Sequence, residues 1–307
     1  MNREIPISVI MLTYNRENLV AGMIESILGQ TMEEFEFIIV DNGSTDRSGE
    51  IAEEYARNDA RIKVLHIEKS SIGRGRNVGI AEARGEYIAF VDDDDTCKPE
   101  YLEFLYRLMA ESSSEIAICG TDRSEHDIHM ILETKEALVT LLDRKYYNVG
   151  FPTKLIKRSL FEGRMFDEKS RYDDIYLMPK IVAAAEQIVY HGQPFYIVNR
   201  HENNNSAWTT NHKLLTRETL EEYLQVYRKR TEWLTVEYPE DRNIWCYYEW
   251  SFMISMVDKI KKNKLISCQD LFISLQKKLE KHYDDFINSP KIQEFEKEFM
   301  RKYITHV

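Results

Sequence analysis

The chain has 307 residues, 43% of them hydrophobic and 30% charged, with a formal net charge of -11. Such a composition belongs to a folded globular chain of one large domain, or of one domain with an appendage, and not to a disordered one. The acidic balance argues against general nucleic-acid binding, and no apolar run reaches the roughly 18 residues of a membrane-spanning helix.

The polar, charged residues 1–6 do not read as a signal peptide. Cys97, Cys119, Cys246 and Cys268 lack metal-ligand spacing and are too scattered for a disulfide scaffold. The expectation is therefore reduced thiols in a cytoplasmic protein.

Residues 7–12 read as a buried strand, 19–30 as a helix and 35–40 as a second strand rich in Ile and Val. A helix over 48–57 follows, with Ser44, Thr45 or Asp46 as its cap. Then come a strand at 62–66, a short helix at 76–83 and a strand at 87–91. Alternating strands and helices predict a mostly parallel sheet covered on both faces. Further along, residues 100–126 read as helix, short strand (116–119) and polar loop, and 135–142 as helix. Residues 151–161 read as an extended segment and helix start, 175–185 as a helix and 195–198 as a strand. Past Leu214 glycine disappears and helical periodicity takes over, which gives a domain at 1–212 and a helical region at 213–307.

In open α/β sheets ligands bind beyond the carboxyl ends of the strands. Four polar segments fall there: Thr13, Tyr14, Asn15 and Arg16; residues 41–46; residues 70–77; and the four aspartates Asp92, Asp93, Asp94 and Asp95. Packed carboxylates repel unless a cation joins them, and hard oxygen donors suit Mn²⁺ or Mg²⁺. Asp41 ends a strand, where a carboxylate can accept from the N–H edge of a uracil or guanine. Arg74 and Arg76 sit in a glycine-spaced turn that opens a helix, a place that favours anions. Asp173 and Asp174 stand before the helix at 175–185, either as dipole-favoured acids or with one of them as a general base.

Taken in order, these segments resemble the family 2 glycosyltransferases of the GT-A fold, over about residues 5–206. The resemblance implies that the Thr13 region and Asp41 hold a nucleotide base, with Tyr14 beside it and Asn15, Arg16 and Asp93 on the same side. It implies that Arg76 lies near the base or diphosphate. Asp92 and Asp94 match the outer letters of the family's Asp-x-Asp motif, Asp92 touching the ribose and Asp94 ligating the metal. Asp95 falls near the donor sugar or acceptor. Asp173 and Asp174 look like the family's Glu-Asp pair, which makes Asp174 the catalytic base and puts Asp173 on the acceptor side. Lys154, Arg200 and His201 resemble features of that side too. Asn42 stands where many relatives carry Asp, and Asp173 is shorter than the family's Glu.

The activity so implied is inverting transfer of a sugar from a nucleotide-diphosphate donor, a UDP-sugar by family habit, to a hydroxyl of a glycan or lipid-linked acceptor in bacterial surface polysaccharide synthesis. Two rivals compete. Asp92, Asp94 and Thr96 fit the signature of a haloacid-dehalogenase-type phosphatase, but three strand–helix units precede them. A nucleotidyltransferase would carry a Gly-rich basic loop where Thr13 to Arg16 stand. A binder that keeps the fold without turnover is a third. In the tail, Trp245, Tyr247, Tyr248, Trp250, Phe252, Met253 and Met256 read as core. The other reading, with Lys259, Lys261, Lys262 and Lys264, is a contact with a partner copy or with the inner face of the cell membrane.

Overall fold

The computed structural model describes residues 5–125, 128–200 and 211–304. The chain divides into two units, Met1–Asn199 and Arg200–Val307.

In the first unit, β1 (Ile7–Thr13), β2 (Phe35–Asp41), β3 (Ile62–His66) and β4 (Tyr87–Asp92) pair in parallel, in the order β3-β2-β1-β4. Every residue of β2 is buried, as a strand covered on both faces should be. The helices between them are α1 (Val20–Leu28), α2 (Ser48–Asn58) and α3 (Ile72–Glu82). Val20, Met23, Ile24 and Ile27 of α1 recur at helical spacing and are fully buried. That one stripe contributes on the order of 6–12 kcal/mol before chain entropy is counted. Parallel register brings Thr13 opposite Asp41, Asp41 opposite His66 and Leu12 opposite Asp92. The polar segments therefore share one edge.

The sheet continues with mixed polarity through β5 (Thr96–Cys97), β6 (Ile116–Thr121), β7 (His129–Glu133), β8 (Lys154–Lys157) and β9 (Gln187–Ile197). Between them lie α4 (Tyr101–Ser112), α5 (Thr134–Asp143) and α6 (Asp173–Ala184). β8 runs antiparallel between β4 and β6, and β9 runs parallel to β6 but antiparallel to β5 and β7. The strand expected at 195–198 is the end of β9, which begins at Gln187; Gly192 and Pro194 break its apolar run, and the pairing shifts register there. β7 is an unexpected strand, and its alternation of exposed and half-buried residues suits the sheet margin.

The helix expected from Arg76 starts at Ile72, with Ser71 Oγ accepting from Arg74 N–H. Glycines at 73, 75 and 79 lower its intrinsic propensity and hide it from a sequence reading. Gly75 and Gly79 are required by close packing on β1. A Cβ at Gly79 would lie 2.5 Å from Ile10 Cγ2, and one at Gly75 would strike Leu12 Cδ1.

The second unit is helical: α7 (Arg217–Glu237), α8 (Arg242–Lys262), α9 (Gln269–Lys281), α10 (Tyr283–Ile287) and α11 (Glu294–Tyr303). Trp245, Tyr247, Tyr248, Trp250, Met253 and Met256 are buried, and Phe252 stacks on Tyr227 at 4.0 Å. These residues form a core. Among the described residues no helix is long and apolar enough to cross a membrane.

Gly79→Val places a branched side chain against the stiff Ile10. It is expected to lower unfolding free energy by about 2–3 kcal/mol, read from urea titration, although valine is the better helix former.

Candidate active site

At the base end of the strand edge, the loops after β1 and β2 are stitched together. Asn15 adopts a left-handed conformation (φ 51°), its N–H donating to Ser44 Oγ and its Oδ1 accepting from Thr45 N–H at 2.8 Å. Arg16 N–H donates to Ser48 Oγ at 2.7 Å, and the Arg16 guanidinium stands 3.7 Å from Asp93. Asp46 accepts from the N–H and hydroxyl of Ser48; the N-cap of α2 is Arg47, without a side-chain cap bond, and not Ser44, Thr45 or Asp46 as expected. Thr13 is fully buried, and the Tyr14 ring lies under the Lys69 ammonium, 2.8 Å from the ring centre. Side chains of Asn15 and Thr13 thus shape the loop from within, and Tyr14 presents a surface.

Asp41 is buried, with Oδ1 accepting from Ser44 N–H at 3.0 Å and Oδ2 2.9 Å from His66 Nδ1. Asn42 is committed to the chain before α3. Its Oδ1 accepts from the N–H and hydroxyl of Ser70, and its Nδ2 donates to Ser70 O at 2.9 Å. An Asp at this position could not make the last bond, so Asn42 acts on loop placement.

The acid end is held by Arg76. Its guanidinium, 16% exposed, stands 3.7 Å from Asp92 and 3.6 Å from Asp173, over the ring of Phe166 at 5.3 Å. Asn77 clamps the segment that leads to Asp173. Its Nδ2 donates to Phe166 O at 3.1 Å and its Oδ1 accepts from Phe166 N–H at 3.0 Å. Gly73 leaves room for the same approach, since a Cβ there would come within 2.9 Å of Asp173 Oδ2. Tyr196 on β9 braces the run, its hydroxyl accepting from Asp92 N–H at 3.0 Å, and Asp95 accepts from Asn199 N–H at 2.8 Å.

Crowding of acids shows in their titration. Burial raises Asp92, with Asp94 and Asp174 adding to the rise and Arg76 opposing it. Burial likewise pushes Asp93 up to about 7 against the Thr13 hydroxyl and Arg16, and Asp95 up to about 7 with help from Asp92. Asp173 reaches about 7 through burial despite Arg76, and its Oδ2 has no hydrogen-bond partner. Asp174 is raised by burial against Arg76. Asp173 and Asp174 are the first residues of α6, so Asp92, Asp94 and Asp174 act on one another across a common recess.

One placement differs from the acceptor-side expectation. Lys154 is 1% exposed and donates to Gly150 O; burial brings its ammonium down to about 7, against Asp174 and Cys119. A direct contact with an incoming acceptor is closed to it. Arg200 is exposed, and His201 falls outside the described residues. His66 is the residue that sequence reasoning did not single out at the site; Asn77 and Tyr196 fall in segments it marked, 70–77 and 196–206, without a role of their own.

Among the described residues no set of three or more His, Cys, Asp or Glu side chains closes on one point to hold a cation unaided. The chemistry of the donors still fits a small hard cation. Asp92 and Asp94 offer carboxylate oxygens whose proximity already costs charge repulsion. Mg²⁺-like ions are bound through one or two carboxylates, with phosphates and water completing the shell.

The model of the family described as glycosyl transferase family 2 matches residues 8–167. The chain belongs to this family. It is therefore a glycosyltransferase, and the phosphatase and nucleotidyltransferase alternatives fall away. It is 34% identical to the glycosyltransferase GlyG of Streptococcus pneumoniae over 212 residues, 63% of this chain and 70% of GlyG. Other curated relatives are longer, and the match covers only 37% of GlyA from the same organism. The S. aureus TarS fragment 1–349 in complex with UDP-GlcNAc shares the fold with a TM-score of 0.64 at 19% identity, over 98% of this chain and 93% of that one. The mannosyltransferase PcManGT of Pyrobaculum calidifontis, in complex with GDP-Man and Mn²⁺, aligns with a TM-score of 0.61 at 15% identity, over 86% of this chain and 74% of that one. The fold is GT-A, with C-terminal helices.

Two outcomes follow from this geometry. A carboxyl raised in the fold favours the protonated form, so its contribution to stability falls as pH rises from the unfolded value near 4 through about 7. Ligand-free protein should melt lower at pH 8 than at pH 5, and Asp173→Asn should raise the melting temperature at pH 8 by about 2–4 °C, with no gain at pH 5. Asn42→Asp should cost about 1–3 kcal/mol in urea unfolding, because it removes the donor to Ser70 O and sets a carboxylate against that carbonyl.

Proposed function

We propose that the protein transfers a sugar, with inversion, from a UDP-sugar to a hydroxyl of a glycan or lipid-linked acceptor in bacterial surface polysaccharide synthesis. The observation that carries this reading is the Arg76 bridge, which draws Asp92 of one motif and Asp173 of the other to a single recess. TarS with UDP-GlcNAc supports the nucleotide, and TarS and GlyG support the class of reaction. Residues 1–212 make the catalytic domain in this reading.

Asp41 accepts from the imide N–H of the base, and Tyr14 covers the base on its exposed face. Asp92 takes the ribose, with Asn15, Arg16 and Asp93 fixing the loop on that side. A divalent cation, Mn²⁺ or Mg²⁺, held by Asp94 with Asp92 at hand, supplies charge neutralisation for the leaving diphosphate; PcManGT with Mn²⁺ is the supporting case. Asp95 and Asp173 face the sugar and acceptor, and Arg200 and His201 belong to the acceptor approach. Asp174 is the general base. Its raised affinity for protons, set by burial, suits a group that must pick one up near neutral pH.

In the proposed step the acceptor oxygen attacks the anomeric carbon from the face opposite the nucleotide. The bond from that carbon to the phosphate oxygen breaks, and the nucleotide diphosphate leaves with the electron pair. Asp174 Oδ receives the acceptor proton. Lys154, buried behind Asp174, acts on that carboxylate and not on the acceptor.

Asp174→Asn is expected to lower kcat by at least about 10³-fold, with UDP affinity within twofold of wild type by calorimetry. Substantial transfer by this variant would remove Asp174 as the base. Asp94→Ala should abolish the gain in UDP affinity produced by Mn²⁺; a titration indistinguishable from wild type would move the cation elsewhere.

A further inference from the structure

His66 ends β3 directly opposite Asp41 in the parallel register. Its Nδ1 lies 2.9 Å from Asp41 Oδ2, and its Nε2 lies 3.1 Å from Glu53 Oε1 on α2. Both ring nitrogens therefore meet carboxylate oxygens. A neutral imidazole has one N–H and would turn a lone pair toward one of those anions. The doubly protonated ring satisfies both. Gly49 on α2 makes the seat possible, since a Cβ there would stand 2.6 Å from Asp41 Oδ2 and 3.2 Å from His66 Cε1.

We infer that His66 is a positioning residue for the donor base: as an imidazolium it holds the Asp41 carboxylate aimed, and its deprotonation weakens nucleotide binding as pH rises. The inference rests on the proposed reading of Asp41 as the base contact. Asp41 Oδ1 is fixed by Ser44 N–H and Oδ2 by His66, so the carboxylate cannot rotate without breaking one of the two. The base then meets a preset acceptor and does not have to order it.

The charged groups around the ring favour its protonated form. Asp41 faces it from β2, while Glu50, Glu53, Glu54 and Arg57 of α2 line the same depression. Arg47 is drawn toward Glu50 and Glu54. On the chain after β3, Glu68 follows closely, and Lys69 is taken up over the Tyr14 ring. Hydrogen bonding to Asp41 is the largest influence and raises the imidazole pKa; burial opposes it, and Glu53 adds to the rise.

The test measures UDP affinity with Mn²⁺ by calorimetry from pH 5.5 to 8.5, for the full chain and for His66→Gln, Glu53→Gln and Asp41→Ala. Subtracting the His66→Gln profile removes the ionisation of phosphate and of the acid cluster, which all forms share. The wild type should lose affinity by about fivefold, the low end of ordinary coupling, across a transition that His66→Gln lacks. Glu53→Gln, a change on a half-exposed side chain, should move that transition to lower pH. In turnover assays the donor KM of His66→Gln should rise while kcat at saturating donor stays within twofold, and His66→Lys, which keeps a positive charge, should recover part of the KM. Parallel pH profiles for wild type and His66→Gln, alongside loss of UDP binding in Asp41→Ala, would overturn the role of His66 and leave the base contact intact. Unimpaired UDP binding by Asp41→Ala would overturn the base contact and with it this inference.

Discussion

One guanidinium stands between two acidic segments that are about eighty positions apart in the chain. Arg76 lies within 3.7 Å of Asp92 and 3.6 Å of Asp173, mostly withdrawn from water over an aromatic floor. Carboxylates brought this close repel one another strongly in a medium poorer than water. Arg76 opposes the rise at Asp92, Asp173 and Asp174 only in part: burial raises the proton affinities of Asp92, Asp93, Asp95, Asp173 and Asp174, and neighbouring carboxylates add to it at Asp92, Asp93, Asp95 and Asp173. The recess is in this sense built to receive positive charge from outside. Much of the nearby packing serves to place that one side chain: Gly75 and Gly79 let α3 lie on β1, Gly73 admits Asp173, and Asn77 ties down the segment that carries it.

The two ends of the site differ in character. Around the base pocket polar groups are satisfied in closed sets, Asn15 with Ser44 and Thr45, Asn42 with Ser70, Asp41 with Ser44 and His66. Among the acids, Asp173 Oδ2 has no hydrogen-bond partner, and at the other end the buried Thr13 Oγ1 has none either.

Much of the first unit was legible in the residues. The parallel strands announce themselves because strands covered on both faces must be apolar throughout, and Asp41 and Asp92 to Asp95 stand at their ends. What escaped notice did so for physical reasons. The start of α3 is masked by glycines that allow close approach, Gly73 to Asp173 and Gly75 and Gly79 to β1, a property of space and not of local propensity. β7 and the start of β9 lack the continuous apolar run of the inner strands. The partnership of Asp41 with His66 arises only from register between two strands, and the burial of Lys154, read from the sequence as an acceptor-side residue, follows from packing that its neighbours in the chain do not reveal. The letters at 13–16 pointed to the nucleotide side, yet Asn15 spends its polar atoms on the loop after β2.

β9 completes more than a sheet. It is the last strand of the first unit, and the hydroxyl that supports Asp92 belongs to Tyr196 near its end. The family match stops at residue 167, before Asp173, Asp174 and Tyr196. On the proposed reading, a ribosome that has delivered only the first hundred residues has therefore not yet supplied the acids of α6 or the Tyr196 brace. β9 must pair with β6 across about seventy intervening positions, a non-local contact of the kind that forms slowly. On that reading the nascent chain carries its signature well before its chemistry.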